Sequence, residues 1–217
     1  MESIFLIEKI VTRIAPGRSP SFTEAHVLKS LELVSSEPSI GRKRLGEFLG
    51  LNEGVARTLL RHLKEAKIIG VTRRGITLKK EGEYLLAALN TIISSGMEIQ
   101  SSALTIGPQN FAILVRGVEH RVRSGVEQRD AALKAGAIGA TTLVFDGERL
   151  MLPGVQELKP NAEEVYGFLL SRLKPRKGDV IIIGTASDSL TAELGAKTAA
   201  LELLKKTKEK DEASSTE

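Results

Sequence analysis

Several residue types and patterns are scarce in this sequence, and each absence excludes something. The chain has no cysteine, which rules out disulfide bonds and thiolate metal sites and fits a reducing compartment. Asn and Gln occur only four times each beside abundant Lys, Arg and Glu, a composition that favours a thermophilic source. No segment reaches the roughly 18 apolar residues of a membrane span. Glu8, Lys9 and Arg13 interrupt the apolar N-terminal stretch, which therefore does not look like a secretory signal. We expect a soluble, cytoplasmic protein.

The signatures of common catalytic and cofactor sites are also missing. There is no Gly-Lys-Ser/Thr phosphate loop, no G-x-G-x-x-G after a strand and no G-x-S-x-G nucleophile turn. The three histidines, His26, His62 and His120, lie far apart and show no metal-ligand spacing. His62 is interpreted as a partly buried helix residue. The sequence predicts no cofactor, no metal and no enzymatic activity; an enzyme in the second half of the chain is a less favoured alternative.

Positive charge is concentrated in one short part of the chain. Residues 1–95 contain 15 Lys and Arg against 10 Asp and Glu, whereas residues 96–217 contain 16 against 17. Between Arg42 and Lys80 the count is 11 against 3, a net charge of +8. A surface that serves only solubility usually mixes both signs. This cluster instead indicates a face that binds a polyanion.

The same part of the chain has the pattern of a helix-turn-helix followed by a β-hairpin. Helices are predicted over residues 4–14 and 23–35, then a short helix that ends at Gly50, then a longer one from Asn52 to about Ala66. Asn52 is a preferred N-cap residue, and Gly50 is free to take the positive φ of a turn. The next strands are predicted at 69–72 and 76–78. They are joined by Arg73, Arg74 and Gly75, so the hairpin forms a wing with two arginines at its tip.

The segments "LGEFLGLNEGVARTLLRHLKEAKII" and "GVTRRGITLKKEGEYLL" resemble the helix-turn-helix, wing and following helix of winged helix-turn-helix transcriptional regulators of bacteria and archaea. The chain departs from the common pattern at Lys67, where many members have glycine after the recognition helix. The whole chain is similar to archaeal regulators that join such a domain to a poorly characterised C-terminal domain. The resemblance implies that the second helix of the pair enters the major groove of DNA.

The candidate DNA contacts follow from this arrangement and from side-chain chemistry. Arg57 can pair bidentately with guanine, and Thr58 can reach a base edge or a phosphate. The three basic residues at the start of the preceding helix would touch phosphates, which set affinity but carry no sequence information. The candidate residues are Arg42, Lys43, Arg44, Asn52, Gly54, Arg57, Thr58, Arg61, Arg73 and Arg74. A winged helix that holds RNA or a protein partner remains the alternative to double-stranded DNA.

We place the DNA-binding domain at residues 1–95, because Ser94, Ser95 and Gly96 form a boundary signal. A helix predicted over residues 81–94 is too apolar for a free linker. Together with the helix at 4–14 it forms either a homodimer interface or part of the core of its own domain. We expect a homodimer, in which an effector would act by shifting the two DNA-binding heads.

Residues 98–205 predict a second domain of class α+β, with a mixed or antiparallel sheet. Strands are expected at 102–106 and 111–115, in "AIGATTLVF", in "RLMLPG" and in "DVIIIG"; helices are expected at 126–135, 162–173 and 187–204. Two stretches rich in glycine and polar residues are candidates for a small-molecule effector site. The candidates are Arg129, Asp130, Thr185, Ser187 and Asp188. Ion pairing within the domain and ordinary helix capping are the alternatives. The charged tail, residues 206–217, is predicted to be disordered.

Overall fold

The computed structural model describes residues 2–12, 21–37, 39–155 and 162–205. Contacts divide the chain into two compact units, residues 1–91 and residues 92–217. The prediction of mixed helix and sheet, with a winged helix-turn-helix first and an α+β domain second, is confirmed. The predicted disordered tail lies outside the described residues.

The described residues of the first unit form five helices and one hairpin. Its elements are α1 (Glu2–Thr12), α2 (Glu24–Ser36), α3 (Arg42–Phe48), α4 (Glu53–Glu65), β1 (Ile69–Thr72), β2 (Gly75–Leu78) and α5 (Lys80–Asn90). Each long helix buries one apolar face, as its sequence spacing predicts. In α5 the buried apolar side chains are Leu85, Leu86 and Leu89, and the helix packs against α1 and α2. Of the two interpretations of this helix, packing inside its own domain is the one observed.

His62 is fully buried and joins α4 to α1. Its Nδ1 lies 2.8 Å from the carbonyl oxygen of Ile10, and its ring meets the Phe22 ring edge-on at 5.6 Å between centroids. His62 is a helix residue, as interpreted from the sequence, but it is fully buried rather than partly buried, because these contacts place it in the core beneath α4.

The second unit contains an antiparallel sheet of five strands in the order β3-β4-β7-β5-β6. The strands are β3 (Met97–Ile99), β4 (Gln109–Val115), β5 (Gly139–Phe145), β6 (Leu150–Met151) and β7 (Val180–Ala186). The helices are α6 (Val126–Lys134), α7 (Glu163–Leu173) and α8 (Ser189–Lys205). Of the two sheet types left open by the sequence, the structure shows the antiparallel one.

Helices cover both faces of this sheet. Ile183 of β7 belongs to the core cluster that includes Tyr166 and Leu169 of α7. The next residue, Gly184, points to the opposite face, where a Cβ would lie 2.3 Å from the Ala192 carbonyl oxygen of α8. Helix α6 packs beside α8. The sheet is therefore sandwiched between α7 on one side and α6 with α8 on the other.

The strand predicted at residues 102–106 is wrong. That segment forms turns in which Ser102 N–H donates to Thr105 Oγ1 at 2.8 Å and Thr105 Oγ1 donates to the Ser102 carbonyl at 3.1 Å. Hydroxyl side chains that bond the local backbone compete with strand pairing. The edge strand of the sheet is instead Met97–Ile99, which the sequence analysis did not identify.

The division between the units lies after Thr91, a few residues before the boundary signal at Ser94. Ile93 forms an isolated bridge with Val115, and Ser94 N–H donates to the Leu114 carbonyl at 2.9 Å. These residues thus contact β4 of the second unit.

Candidate nucleic-acid interface

Helices α3 and α4 form the helix-turn-helix. The turn between them passes through Gly50, whose φ of 64° is in the region that glycine adopts most easily. A Cβ at Gly46 of α3 would lie 3.2 Å from the Ala56 Cβ of α4, so the two helices approach closely. Asn52 caps α4 by accepting a hydrogen bond from Val55 N–H at 3.0 Å. Small residues and a side-chain cap thus fix the angle at which α4 is presented.

The hairpin β1-β2 is the wing, and its base is fixed to the rest of the unit. Ile40 forms a bridge with Ile76, and Ser39 N–H donates to the Ile76 carbonyl at 3.1 Å. Gly75 has a φ of 133°, and a Cβ there would overlap the Ser39 carbonyl oxygen. Lys67, the position at which the resemblance led us to expect glycine, adopts a positive φ of 62° at the turn into the wing. The wing is therefore held in one orientation.

A groove of about 570 Å³ lies between the start of α3, the outer face of α4 and the wing. Its lining includes six cationic side chains: Arg42, Arg57, Arg61, Lys64, Arg73 and Arg74. The other described residues that line it are uncharged. The groove thus collects cations from three elements that are separated in the sequence.

Five of the ten predicted contact residues line this groove, and the other five do not. Lys43 and Arg44 are exposed on α3, while Asn52 and Gly54 are exposed at the start of α4. Thr58 is half-buried, and its hydroxyl donates to the Gly54 carbonyl at 3.1 Å. Those five residues therefore do not line the groove, and their part in DNA contact stays a prediction.

The sequence analysis missed Lys64, although a signal was present. Lys64 follows Arg57 and Arg61 at helical spacings of seven and three residues, so the three side chains share one face of α4. The predicted contacts on α4 were limited to its N-terminal two thirds, although the same face continues to Lys64.

A second residue that was missed is Glu53, in the first turn of α4. Its Oε1 lies 2.8 Å from Nη2 of Arg57 and 3.9 Å from Nη2 of Arg42. On α3, Arg44 pairs with Glu37 at 3.2 Å and its guanidinium lies 5.4 Å from the centre of the Phe48 ring. Exposed ion pairs contribute about 0.2–1 kcal/mol, so each arginine can exchange its carboxylate for a phosphate at little energetic cost.

At the second candidate site, predicted to bind a small molecule, the side chains of Thr185 and Asp188 already form hydrogen bonds within the unit. The buried Thr185 hydroxyl donates to Asn110 Oδ1 at 2.7 Å. Asp188 caps α8 by accepting from Thr191 N–H at 2.9 Å and from Thr191 Oγ1 at 2.8 Å. The backbone hydrogen bond from Thr191 is the main reason why the pKa of Asp188 is lowered. Ser187 is exposed beside the cap.

Arg129 and Asp130 are exposed on α6 and pair with each other at 3.2 Å. Arg129 Cγ lies 3.8 Å from the position of a Cβ on Gly139, and Gly139 pairs with Thr185 across the sheet. The structure therefore brings the two predicted stretches to the same end of the sheet. A separate cavity of about 650 Å³ in this unit is lined by other residues, among them Glu98, Glu164 and Phe168.

Within the described parts of the chain, no three His, Asp or Glu side chains are grouped so that they could hold a metal ion. No helix among the described residues is both long and apolar enough to cross a bilayer.

Comparison with known proteins agrees with this geometry. Residues 24–93 match the family model of the CggR N-terminal DNA binding domain, and residues 106–203 match a domain of unknown function, DUF4443. Over 76 residues the chain is 37% identical to the central glycolytic genes regulator of Priestia megaterium. That alignment covers 34% of this chain and only 22% of the regulator. A hypothetical protein of Pyrococcus horikoshii OT3 is 28% identical, with a TM-score of 0.70 over 86% of this chain and 95% of that one.

The geometry of the first unit and these matches support a DNA-binding domain of the winged helix-turn-helix class, as the sequence predicted. The 76-residue alignment with the glycolytic regulator is slightly longer than the DNA-binding domain match over residues 24–93, and it covers only a small part of that regulator. Residues 106–203 of the second unit match a domain of unknown function.

Proposed function

We propose that this protein binds double-stranded DNA with its first unit and thereby regulates transcription. The observation that carries the proposal is the groove between α4 and the wing, with six cations and no carboxylate among its described lining residues. A cationic concavity that combines a helix with a β-ribbon fits the charge and the width of a duplex groove.

In this proposal α4 lies in the major groove, with its N-terminal half nearest the bases. Arg57 reads guanine, while Glu53 holds the guanidinium in place or accepts a hydrogen bond from a cytosine amino group. Arg73 and Arg74 at the wing tip contact a neighbouring phosphate or enter the minor groove. Arg42, Lys43 and Arg44 bind phosphates at the start of α3.

We further propose a homodimer that reads an operator with two such heads. The second unit either carries the contact between copies or senses a small molecule, in which case Arg129, Asp130, Thr185, Ser187 and Asp188 remain the candidate ligand residues. An effector would act through a different affinity for two arrangements of the dimer. A thermal-shift screen against metabolites tests this part; an intact protein that responds to no compound would contradict it.

The proposal includes a cytoplasmic protein without enzymatic activity. A thermophilic, archaeal source is supported by the four Asn and four Gln and by the similarity to the Pyrococcus horikoshii protein.

The test of DNA binding compares duplex DNA with structured RNA at two salt concentrations. We expect tighter binding to duplex DNA, with affinity that falls steeply between 50 and 200 mM salt, an order of about 10³-fold for six phosphate contacts. A clear preference for RNA would favour the alternative of an RNA-binding winged helix, and no binding to either nucleic acid would overturn the proposal.

A matched pair of variants separates base reading from charge. Arg57→Ala removes both the positive charge and the two parallel N–H donors of the guanidinium. Arg57→Lys keeps the charge but cannot form the bidentate pair of hydrogen bonds. Once an operator has been selected from random duplexes, we expect Arg57→Lys to lose discrimination of about 1–3 kcal/mol at one base pair while it retains non-specific binding. Equal discrimination in the wild type and Arg57→Lys would exclude Arg57 as a base-reading residue.

A further inference from the structure

Helix α6 of the second unit has an exposed face, opposite the one with which it packs on the described parts of its own unit. Gln128, Ala131 and Ala132 are its buried residues, and α6 packs on β5 and α8. The opposite face carries Val126, Arg129, Asp130 and Leu133, at spacings of three, one and three residues. These spacings place all four side chains on one side of the helix.

The exposed face is unusually apolar at its two ends. Val126 is 44% exposed and Leu133 is 46% exposed. Two further isoleucines are exposed at the same end of the sheet, Ile106 by 70% and Ile138 by 41%. Large exposed apolar side chains that gather in one place mark an interaction surface.

Contacts to Gly139 connect the isoleucines to α6. A Cβ at Gly139 would lie 3.1 Å from Ile106 Cδ1 and 3.8 Å from Arg129 Cγ. Ile138 Cδ1 lies within 3.1 Å of the Cβ position of Gly107, the residue that follows Ile106. Ile106 and the stem of Arg129 therefore both lie close to Gly139, at the same end of the sheet.

The four residues on this face follow an order that is complementary to itself when a second copy of the helix runs in the opposite direction. From one end to the other it runs apolar, basic, acidic, apolar. The numbers of the outer pair, 126 and 133, and of the inner pair, 129 and 130, have the same midpoint. A second α6 that runs antiparallel about this midpoint places Leu133 of the partner subunit opposite Val126. It also places Asp130 of the partner subunit opposite Arg129.

We propose that the outer face of α6 binds the same face of a second copy of this chain, around a two-fold axis that passes between Arg129 and Asp130. A two-fold interface must be complementary to itself, and this face meets that requirement in both its charges and its apolar residues. In the single chain Arg129 and Asp130 pair with each other at 3.2 Å. In the dimer they form two ion pairs between copies, flanked by two apolar contacts.

This inference specifies the homodimer of the proposed function, but it does not depend on DNA binding. A nine-residue helix is only about 13 Å long, so the contact is small. We expect a dimer that dissociates in roughly the micromolar range rather than an obligate one.

Charge reversal tests the proposed geometry directly. Arg129→Asp alone places acid against acid across the axis, and Asp130→Arg alone places base against base. We expect each single variant to weaken dimerisation at least about tenfold, as measured by sedimentation equilibrium over a range of concentrations. Both residues are exposed, so circular dichroism should show an unchanged fold.

The antiparallel pairing predicts two ways in which dimerisation is restored. The double variant Arg129→Asp/Asp130→Arg restores both ion pairs and should dimerise like the wild type. A mixture of the two single variants should form heterodimers, because every charge then meets its opposite. Arg172→Asp, a charge reversal at an exposed position of α7, is the matched control and should dimerise like the wild type.

A wild-type chain that stays monomeric at high concentration would overturn the inference, and so would single variants that dimerise normally or a mixture that forms no heterodimer. Binding of the same proteins to a short duplex keeps the two proposals apart. Monomeric variants that still bind the duplex support DNA binding whatever the dimer result, whereas a dimeric wild type that ignores DNA refutes only the proposed function.

Discussion

The wing tip offers a direct test of how the groove binds its partner. Arg73 and Arg74 are exposed and line the groove, but the turn itself is held by other groups. Arg74 N–H donates to Thr72 Oγ1 at 3.2 Å, and Thr72 Oγ1 donates to the Gly75 carbonyl at 3.3 Å. Neither hydrogen bond uses an arginine side chain. The double variant Arg73→Ala/Arg74→Ala should therefore keep its free energy of unfolding within about 0.5 kcal/mol.

The expected effect on binding follows from the number of cations in the groove. If all six neutralise a phosphate, the plot of log affinity against log salt has a slope of about −0.9 × 6, or roughly −5.4. Without the two wing arginines the slope becomes about −0.9 × 4, or roughly −3.6. A fourfold rise in salt should then weaken the wild type about 2,000-fold and the variant about 150-fold.

Fluorescence anisotropy on a labelled duplex of about 10–12 base pairs measures this slope for a single DNA-binding head. The matched control is Lys134→Ala/Arg172→Ala, which removes two exposed cations from α6 and α7 of the second unit. We expect the control to keep the wild-type slope. An unchanged slope in the wing variant would show that the wing tip does not contact phosphates and would refute the assignment of the groove as one continuous site.

The remaining predictions concern stability. Lys67→Gly should raise the free energy of unfolding, measured in urea, by about 0.5–1 kcal/mol, because the relief of backbone strain at a left-handed residue exceeds the cost of the greater entropy of the unfolded chain. Lys67→Ala keeps a Cβ and should not stabilise the protein. Equal stabilities of the two variants would contradict the reasoning. Burial, and then the charge of Lys29, lowers the pKa of His26 to about 4, and His26 Nδ1 accepts from Thr23 N–H at 3.1 Å. Because the pKa of His26 is lower in the folded than in the unfolded state, neutral His26 contributes its full stabilisation above pH 6.5. This contribution to the free energy of unfolding is lost as the pH falls toward 4. Between pH 7 and pH 5 the wild type should lose about 2 kcal/mol more than His26→Gln; parallel pH profiles would refute this.

The features that sequence predicted well are those set by local chemistry. Gly50 and Asn52 mark the turn and the cap of α4 whatever the rest of the chain does, since one needs a positive φ and the other offers a side-chain acceptor. The wing strands follow from two β-prone runs around a glycine. The apolar stripes of α1, α2 and α4 likewise appear at their predicted positions, because each stripe has the period of a helix.

The features that sequence did not predict depend on partners distant in the chain. A three-residue strand such as Met97–Ile99 becomes visible only through its pairing with β4. The order of the five strands is set by tertiary packing, so the sequence left the sheet type open. Lys67 shows the reverse case, in which a residue poorly suited to a conformation adopts it because the helix before it and the wing after it are both fixed.

The composition of the groove bears on what the site must do. Six cations that converge from three elements repel one another in the free protein, so a surface that only held a polyanion would gain affinity by losing every nearby carboxylate. Glu53 is nevertheless present within 2.8 Å of Arg57, at the end of α4 that is nearest the bases in the proposed complex. Both side chains are exposed, so this ion pair contributes only about 0.2–1 kcal/mol, and Glu53 releases Arg57 easily in the proposed complex. There Glu53 is free to accept a hydrogen bond from a cytosine amino group, a contact that a surface holding only a polyanion would not need, and selection of an operator tests it.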